Sequence, residues 1–193
     1  MTIATTTEYG TDEDTEYSSR VTRSIIDNYM KRPSLEDRAI STIATMANND
    51  LRMLGDENDA PQTFDAAFAF IDRGRARFLI SGGSAAYHFE DGKLLHRSEA
   101  SEASLIGSGP RYIPRLEEPF EIGQGKTAIL TASRCLAATL SNEAIEESLK
   151  GVESPGDWME RLKALVGPDR QFCAIAAFLP PTKPSMFKAM MRR

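Results

Sequence analysis

The chain has 193 residues, 41% of them hydrophobic and 26% charged, with a formal net charge of −5. That length suits one domain, since domains run to about 100–200 residues, and the composition is globular, well away from disorder. An acidic balance without clustered Lys and Arg excludes a general nucleic-acid binder, and no apolar run reaches the roughly 18 residues that a membrane helix needs.

Thr2–Thr7 is a β-branched run and reads as a short strand. Asp12, Glu13, Asp14 and Glu16 follow it, and Thr15 is placed to cap a helix reaching about Arg32. Acids at that point complement the positive end of the helix dipole. Val21, Ile25, Ile26, Tyr29 and Met30 form the apolar face. Pro33-Ser34 breaks the pattern, and a second amphipathic helix runs from Leu35 through Ile43 and Ala47 to Leu54, closed by Gly55. After a polar loop come four strands, Thr63–Asp72, Arg75–Ile80, Ala85–Glu90 and Lys93–His96. Arg73-Gly74 and Asp91-Gly92 supply hairpin turns between them. The alanines of "FDAAFAFI" suggest close packing of one layer on another.

Residues 97–119 read as an irregular surface loop. Thr127–Thr131 is strand-like, with helices expected at Arg134–Leu140, Asn142–Lys150 and Asp157–Val166. Gln171–Leu179 closes the order as a buried strand, and Pro180-Pro181 ends a single domain at residue 180. Residues 182–193 hold four bases and no acid, and 181–193 read as a flexible basic tail. Helices, a meander of hairpins, more helices and a strand make this an α+β chain with antiparallel sheet.

Isolated motifs carry little chemistry. "GQGKT", Gly123 to Thr127, lacks the upstream glycine of a phosphate loop, because Phe120 stands there, and a strand rather than a helix follows. His88 and His96 have no Cys or acid at metal-ligand spacing. No GxSxG elbow is present. Trp158, alone on an amphipathic helix, reads as core. Cys135 and Cys173 are not in a CxxC pair and read as reduced, buried thiols of a cytoplasmic protein.

The order of segments says more. Ser81-Gly82-Gly83-Ser84-Ala85-Ala86-Tyr87 followed by Asp91-Gly92-Lys93-Leu94 resembles the V-G-D-S-R-A-Y strand and D-G-K-L hairpin of the metal-dependent serine/threonine protein phosphatases, the PP2C or PPM family. Ser133-Arg134-Cys135-Leu136, with Leu140-Ser141-Asn142-Glu143-Ala144-Ile145 close behind, is similar to the family's S-D-G-L and L-S-x-E-E-I. Asp169-Arg170 before "QFCAIAAFL" stands where the family has D-N and a last strand. Ala4-Thr5-Thr6-Thr7-Glu8-Tyr9 occupies the place of its A-D-G-x-G-G turn, and "MANNDL" resembles part of its second helix.

The resemblance runs from about residue 2 to 179 and implies an α-β-β-α sandwich of antiparallel sheets flanked by helices, N-terminally truncated because the family's first strands would precede Met1. It also implies where chemistry would sit. Family members hold two Mg²⁺ or Mn²⁺ ions on aspartates, and those ions activate the attacking water. The matching positions here are Thr5 and Thr6 for the D-G pair, Gly83 for the aspartate of V-G-D-S, and Arg134 for that of S-D-G. Asp169 alone keeps its carboxylate, and Arg170 replaces the adjoining asparagine. An ion pair between Asp169 and Arg134 is expected in this degenerate pocket.

The expectation is a pseudophosphatase: no catalytic residues, no metal ligands and no cofactor, kept as a protein-binding or regulatory module. Two alternatives remain at this point. One is an atypical phosphatase holding Mg²⁺ or Mn²⁺ on Asp12, Glu13, Asp14 and Glu16. The other is a phospho-ligand binder using Arg134 and Arg170 without hydrolysis. Missing strands would leave a sheet edge open, so a homodimer or a partner protein covering it is expected.

Overall fold

The computed structural model describes residues 1–6, 12–57, 63–100, 104–110, 112–123 and 125–180. Thr7 and the tail at 181–193 lie outside them. The first sheet contains β1 (Thr2–Thr6), β2 (Ala66–Asp72), β3 (Arg75–Ser81), β6 (Arg115–Leu116) and β7 (Phe120–Glu121), ordered β1-β2-β3-β6 with β7 also pairing β3. The second contains β4 (Ala85–Glu90), β5 (Lys93–Arg97), β8 (Thr127–Ala132) and β9 (Ala174–Leu179), ordered β5-β4-β8-β9. Every pairing is antiparallel. Two helices, α1 (Asp12–Lys31) and α2 (Asp37–Glu57), cover the first sheet. Three more, α3 (Arg134–Thr139), α4 (Asn142–Ser148) and α5 (Pro155–Val166), cover the second.

Period-two alternation sorts the strand residues into layers. Phe68, Phe70 and Leu79 face α1 and α2, meeting Ile25, Tyr29, Ile40 and Leu51. Tyr87, Phe89 and Leu130 face the other helices, where Trp158 packs edge-on to Phe89 and donates Nε1–H to Ser148 Oγ at 2.8 Å. Between the sheets lie Ala67, Ala69, Ala76 and Ala86 with Phe78, Ile80 and Ile129. Small side chains there let the two sheets approach closely, as the alanine-rich strand suggested. Each large core side chain contributes about 1.5–3 kcal/mol by leaving water.

Both tight hairpins have positive φ at both central residues, Arg73-Gly74 and Asp91-Gly92, the turn geometry that matches strand twist. Several expected boundaries move. The first helix starts at Asp12 rather than after Thr15, and Met30 is exposed. The second helix passes Gly55 and ends at Glu57, because glycine permits a stop without forcing one.

Residues 97–119 are not simply a surface loop. They supply β6, a buried Ile106 bridging to Phe64, and a buried Tyr112. The last strand is half-buried and lies at a sheet edge, not in the core, because nothing described pairs with its far side. Among the described residues no helix is long and apolar enough to cross a membrane.

Two buried polar side chains fix the loops to this frame. Arg77, 2% exposed, donates Nε–H to the Glu117 carbonyl at 2.7 Å and Nη1–H to the Leu35 carbonyl at 2.9 Å, and pairs with the Asp37 carboxylate. Asn48 accepts from Gly107 N–H at 2.8 Å and donates to the Gly109 carbonyl at 3.1 Å, holding the 104–112 segment against α2.

Candidate functional site

Six strand termini meet at one end of the sandwich. Register pairs Thr6 with Ala66 and Ala66 with Ser81 in one sheet, and Ala85 with Ala132 and Ala132 with Ala174 in the other. This end gathers the β3–β4 turn, the start of α3 and the segment before β9, so it brings Thr5, Thr6, Gly83 and Arg134 into one neighbourhood. These are four of the six positions that the family resemblance assigns to a former metal and phosphate pocket.

The centre of that neighbourhood is an ion pair that sequence reasoning missed. Arg134 donates Nε–H to Asp65 Oδ2 at 2.6 Å and Nη2–H to Asp65 Oδ1 at 3.3 Å. Asp65 is only 9% exposed, while the Arg134 side chain is 44% exposed. The same carboxylate accepts the Gly83 N–H at 3.1 Å. Arg134 therefore links the second sheet to the residue just before β2, across the end of the sandwich.

The glycine pair is shaped to this arrangement. Gly82 has φ +66°, and a Cβ on it would stand 1.6 Å from Asp65 Oδ1. On Gly83 a Cβ would stand 2.5 Å from Arg134 Nε. The space beside both glycines is filled by the salt bridge itself. The visible signal for Asp65 was a lone acid inside the apolar run "TFDAAFAFI", where an unpaired charge would cost too much to bury.

The other expected site residues are placed as follows. Thr5 is buried, donates to the Thr131 carbonyl at 3.1 Å and shares a 2.7 Å hydrogen bond with Thr131 Oγ1, tying β1 to β8 across the sandwich. Thr6 ends β1 opposite Ala66. Asp169 is exposed on the turn after α5, and no described ion pair includes it. The expected Asp169–Arg134 pair is thus corrected: Arg134 reaches the buried Asp65, while Asp169 stays in water. Arg170 is exposed and donates Nη1–H to Thr139 Oγ1 at 2.8 Å, so it faces the end of α3.

Ser133 connects the site to the last strand, donating its N–H to the Cys173 carbonyl at 2.8 Å and accepting the Cys173 N–H on Oγ at 3.1 Å. Neither cysteine is in a disulfide, and both are half-buried rather than fully buried. Beside Cys173 a cleft of about 420 Å³ opens between β1, β9 and α5, lined by Thr5, Cys173, Ile175, Phe172, Met159 and Lys163, among others.

The "GQGKT" turn behaves as its context predicted. A strand follows it, and Gly125 N–H and Lys126 N–H donate to the carboxylates of Glu90 and Asp91. Amides engaged in that way cradle no phosphate. His88 lies inside the sandwich, stacked on Phe120 at 4.6 Å, and burial holds its imidazole below the usual pKa of 6.5.

No protein-family model matches the chain, and no curated protein sequence does so significantly. Solved structures do. The serine/threonine phosphatase PstP/Ppp of Mycobacterium tuberculosis superposes with a TM-score of 0.74 at 17% identity, covering 93% of this chain and 88% of that one. A bacterial serine phosphatase gives 0.75 at 13% identity over 94% and 86% of the two chains. PppA, a key regulatory component of T6SS in Pseudomonas aeruginosa, gives 0.72 at 12% identity over 92% and 86%. Identity this low carries no residue roles, but nearly the whole chain superposes on each of them. The element order, the paired antiparallel sheets and their flanking helices identify the fold as the PP2C-like α-β-β-α sandwich of serine/threonine phosphatases.

Proposed function

We propose that the chain is a pseudophosphatase: a phosphatase fold without catalysis, serving in the cytoplasm as a protein-binding, regulatory module. The observation that carries this reading is the Asp65–Arg134 pair packed onto Gly82 and Gly83. A divalent pair of the kind seen in the PstP catalytic domain, solved with two manganese ions, needs several carboxylate oxygens to offset its charge. At this end of the sandwich the described residues offer Asp65, already engaged by a guanidinium and an amide. Among the described residues no cluster of three or more acids, histidines or cysteines is placed to hold an ion. A cation at position 134 also repels metal from the place where the family resemblance puts a ligand. The described residues at this end therefore speak against a fit to the ions.

The two other readings have weaker support. Glu16 is exposed on α1, and the side chains of Asp12, Glu13 and Asp14 fall outside those described. Arg134 and Arg170 engage different partners, Asp65 and Thr139, which does not favour a shared phosphate.

The test is direct. Purified chain with millimolar Mn²⁺ is expected to release no phosphate from an aryl phosphate or a phosphopeptide. Manganese-dependent turnover that disappears in Asp65→Asn or Asp169→Asn would sink the proposal.

A further inference from the structure

The two sheets have unlike sides. On one side their edges are β5, with Lys93, His96 and Arg97, and the short β6 and β7, with Arg115 and Glu121. Charged and short edges are how proteins discourage stray strand pairing. On the other side the edges are β1, "TIATT", and β9, "AIAAFL", which carry no charge and no proline.

Both of these edges offer backbone groups. Met1 and Ile71 exchange hydrogen bonds, so by antiparallel alternation Ile3 and Thr5 also point to β2, while Thr2, Ala4 and Thr6 point N–H and C=O outward. Ser133 bonds to the Cys173 carbonyl, which by the same alternation turns Ala174, Ala176 and Phe178 outward from β9. No described residue pairs with either outer edge. The two edges flank one cleft, into which Ile175 projects at 43% exposure, and Glu160 and Lys163 of α5 stand on its lining with opposite signs.

We propose that this side is a dimer interface and that its occupant is a second copy of the chain. The inference rests on the reading of the molecule as a protein-binding module and names the partner. A two-fold axis normal to the sheets lets β1 meet β1 and β9 meet β9, antiparallel in both layers, which continues both sheets at once. Uncharged strands meet their own copies without like-charge repulsion. The same axis turns the Glu160 and Lys163 of one copy toward a surface carrying both signs, so acid and base can be matched across it. Open edges without gatekeeping charges are the observation that asks for a cover, and self-complementarity is what favours this one.

Light scattering on the full chain at tens of micromolar is expected to read the mass of two copies. Ala176→Pro removes one outward donor and leaves the ladder to β8 intact, because proline is tolerated where the N–H points away from the sheet. Ile175→Lys sets like charges against each other in the cleft. Each is expected to raise the dissociation constant about tenfold or more, with an unchanged circular dichroism spectrum reporting a folded chain. Leu95→Lys, on exposed β5, is expected to leave the mass unchanged. A wild-type chain that stays monomeric overturns the proposal, including the case where a strand from a different protein fills the edge. So does a dimer that neither β9 variant weakens. Phosphatase assays read the earlier proposal separately: an active dimer would end the pseudophosphatase reading alone, and an inactive monomer would end only this one.

Discussion

Gly82 and Gly83 have no side chains because Asp65 and Arg134 occupy the space where side chains would go. Gly82→Ala is expected to cost more than an ordinary glycine substitution, since it adds left-handed strain to a 1.6 Å overlap with Asp65 Oδ1. Arg134→Ala leaves a buried carboxylate short of donors, which costs about 1–3 kcal/mol and is read as a lower melting temperature. A double-mutant cycle with Asp65→Asn is expected to recover part of that loss, because removing both partners leaves no buried charge unpaired.

His88 gives a pH dependence. Its folded pKa lies below 6.5, mainly through burial and partly through His96 nearby, with Glu90 pulling the other way. The unfolded chain then binds a proton first as pH falls, so this stability is present above 6.5 and is lost below it. Melting temperature is expected to drop between pH 7.5 and 5.5, and His88→Leu is expected to flatten that drop. An unchanged slope in the variant would assign the acid sensitivity to other groups.

At the scale of elements, strands and hairpins were legible because their signals are local. Arg73-Gly74 and Asp91-Gly92 need positive φ, and "AAYHFE" fills β4 to both expected ends. The 97–119 segment was not legible in the same way. Its serines, glycines and prolines look like a loop, and only Asn48, distant in sequence, reveals that Gly107 and Gly109 are held down. Asn48→Ala is expected to speed hydrogen exchange at the Gly107 amide selectively, with a stability loss of about 1–3 kcal/mol. At the start of α5, Ser154 Oγ accepts the Asp157 N–H at 3.1 Å, so Ser154→Ala is expected to cost about 1 kcal/mol.

Across the described residues the packing runs in three hydrophobic layers, helix on sheet, sheet on sheet and sheet on helix, and on the proposed reading no ion is part of it. The melting temperature is accordingly expected to be the same in Mn²⁺ and in excess chelator. A shift of several degrees with Mn²⁺ would mean that the folded chain binds the ion. The amino-acid sequence by itself determined the layers, because alternation and helical periodicity are written in neighbouring residues. Through the family resemblance it also pointed to the strand ends that carry Thr5, Thr6, Gly83 and Arg134. It did not determine which carboxylate meets Arg134. Asp65 and Arg134 are far apart along the chain, and pairing them requires the two sheets to end side by side. Only the tertiary structure made that choice, and it moved the expected partner of Arg134 from Asp169 to Asp65. A buried carboxylate needs a cation nearby, while one on an exposed turn is already solvated by water.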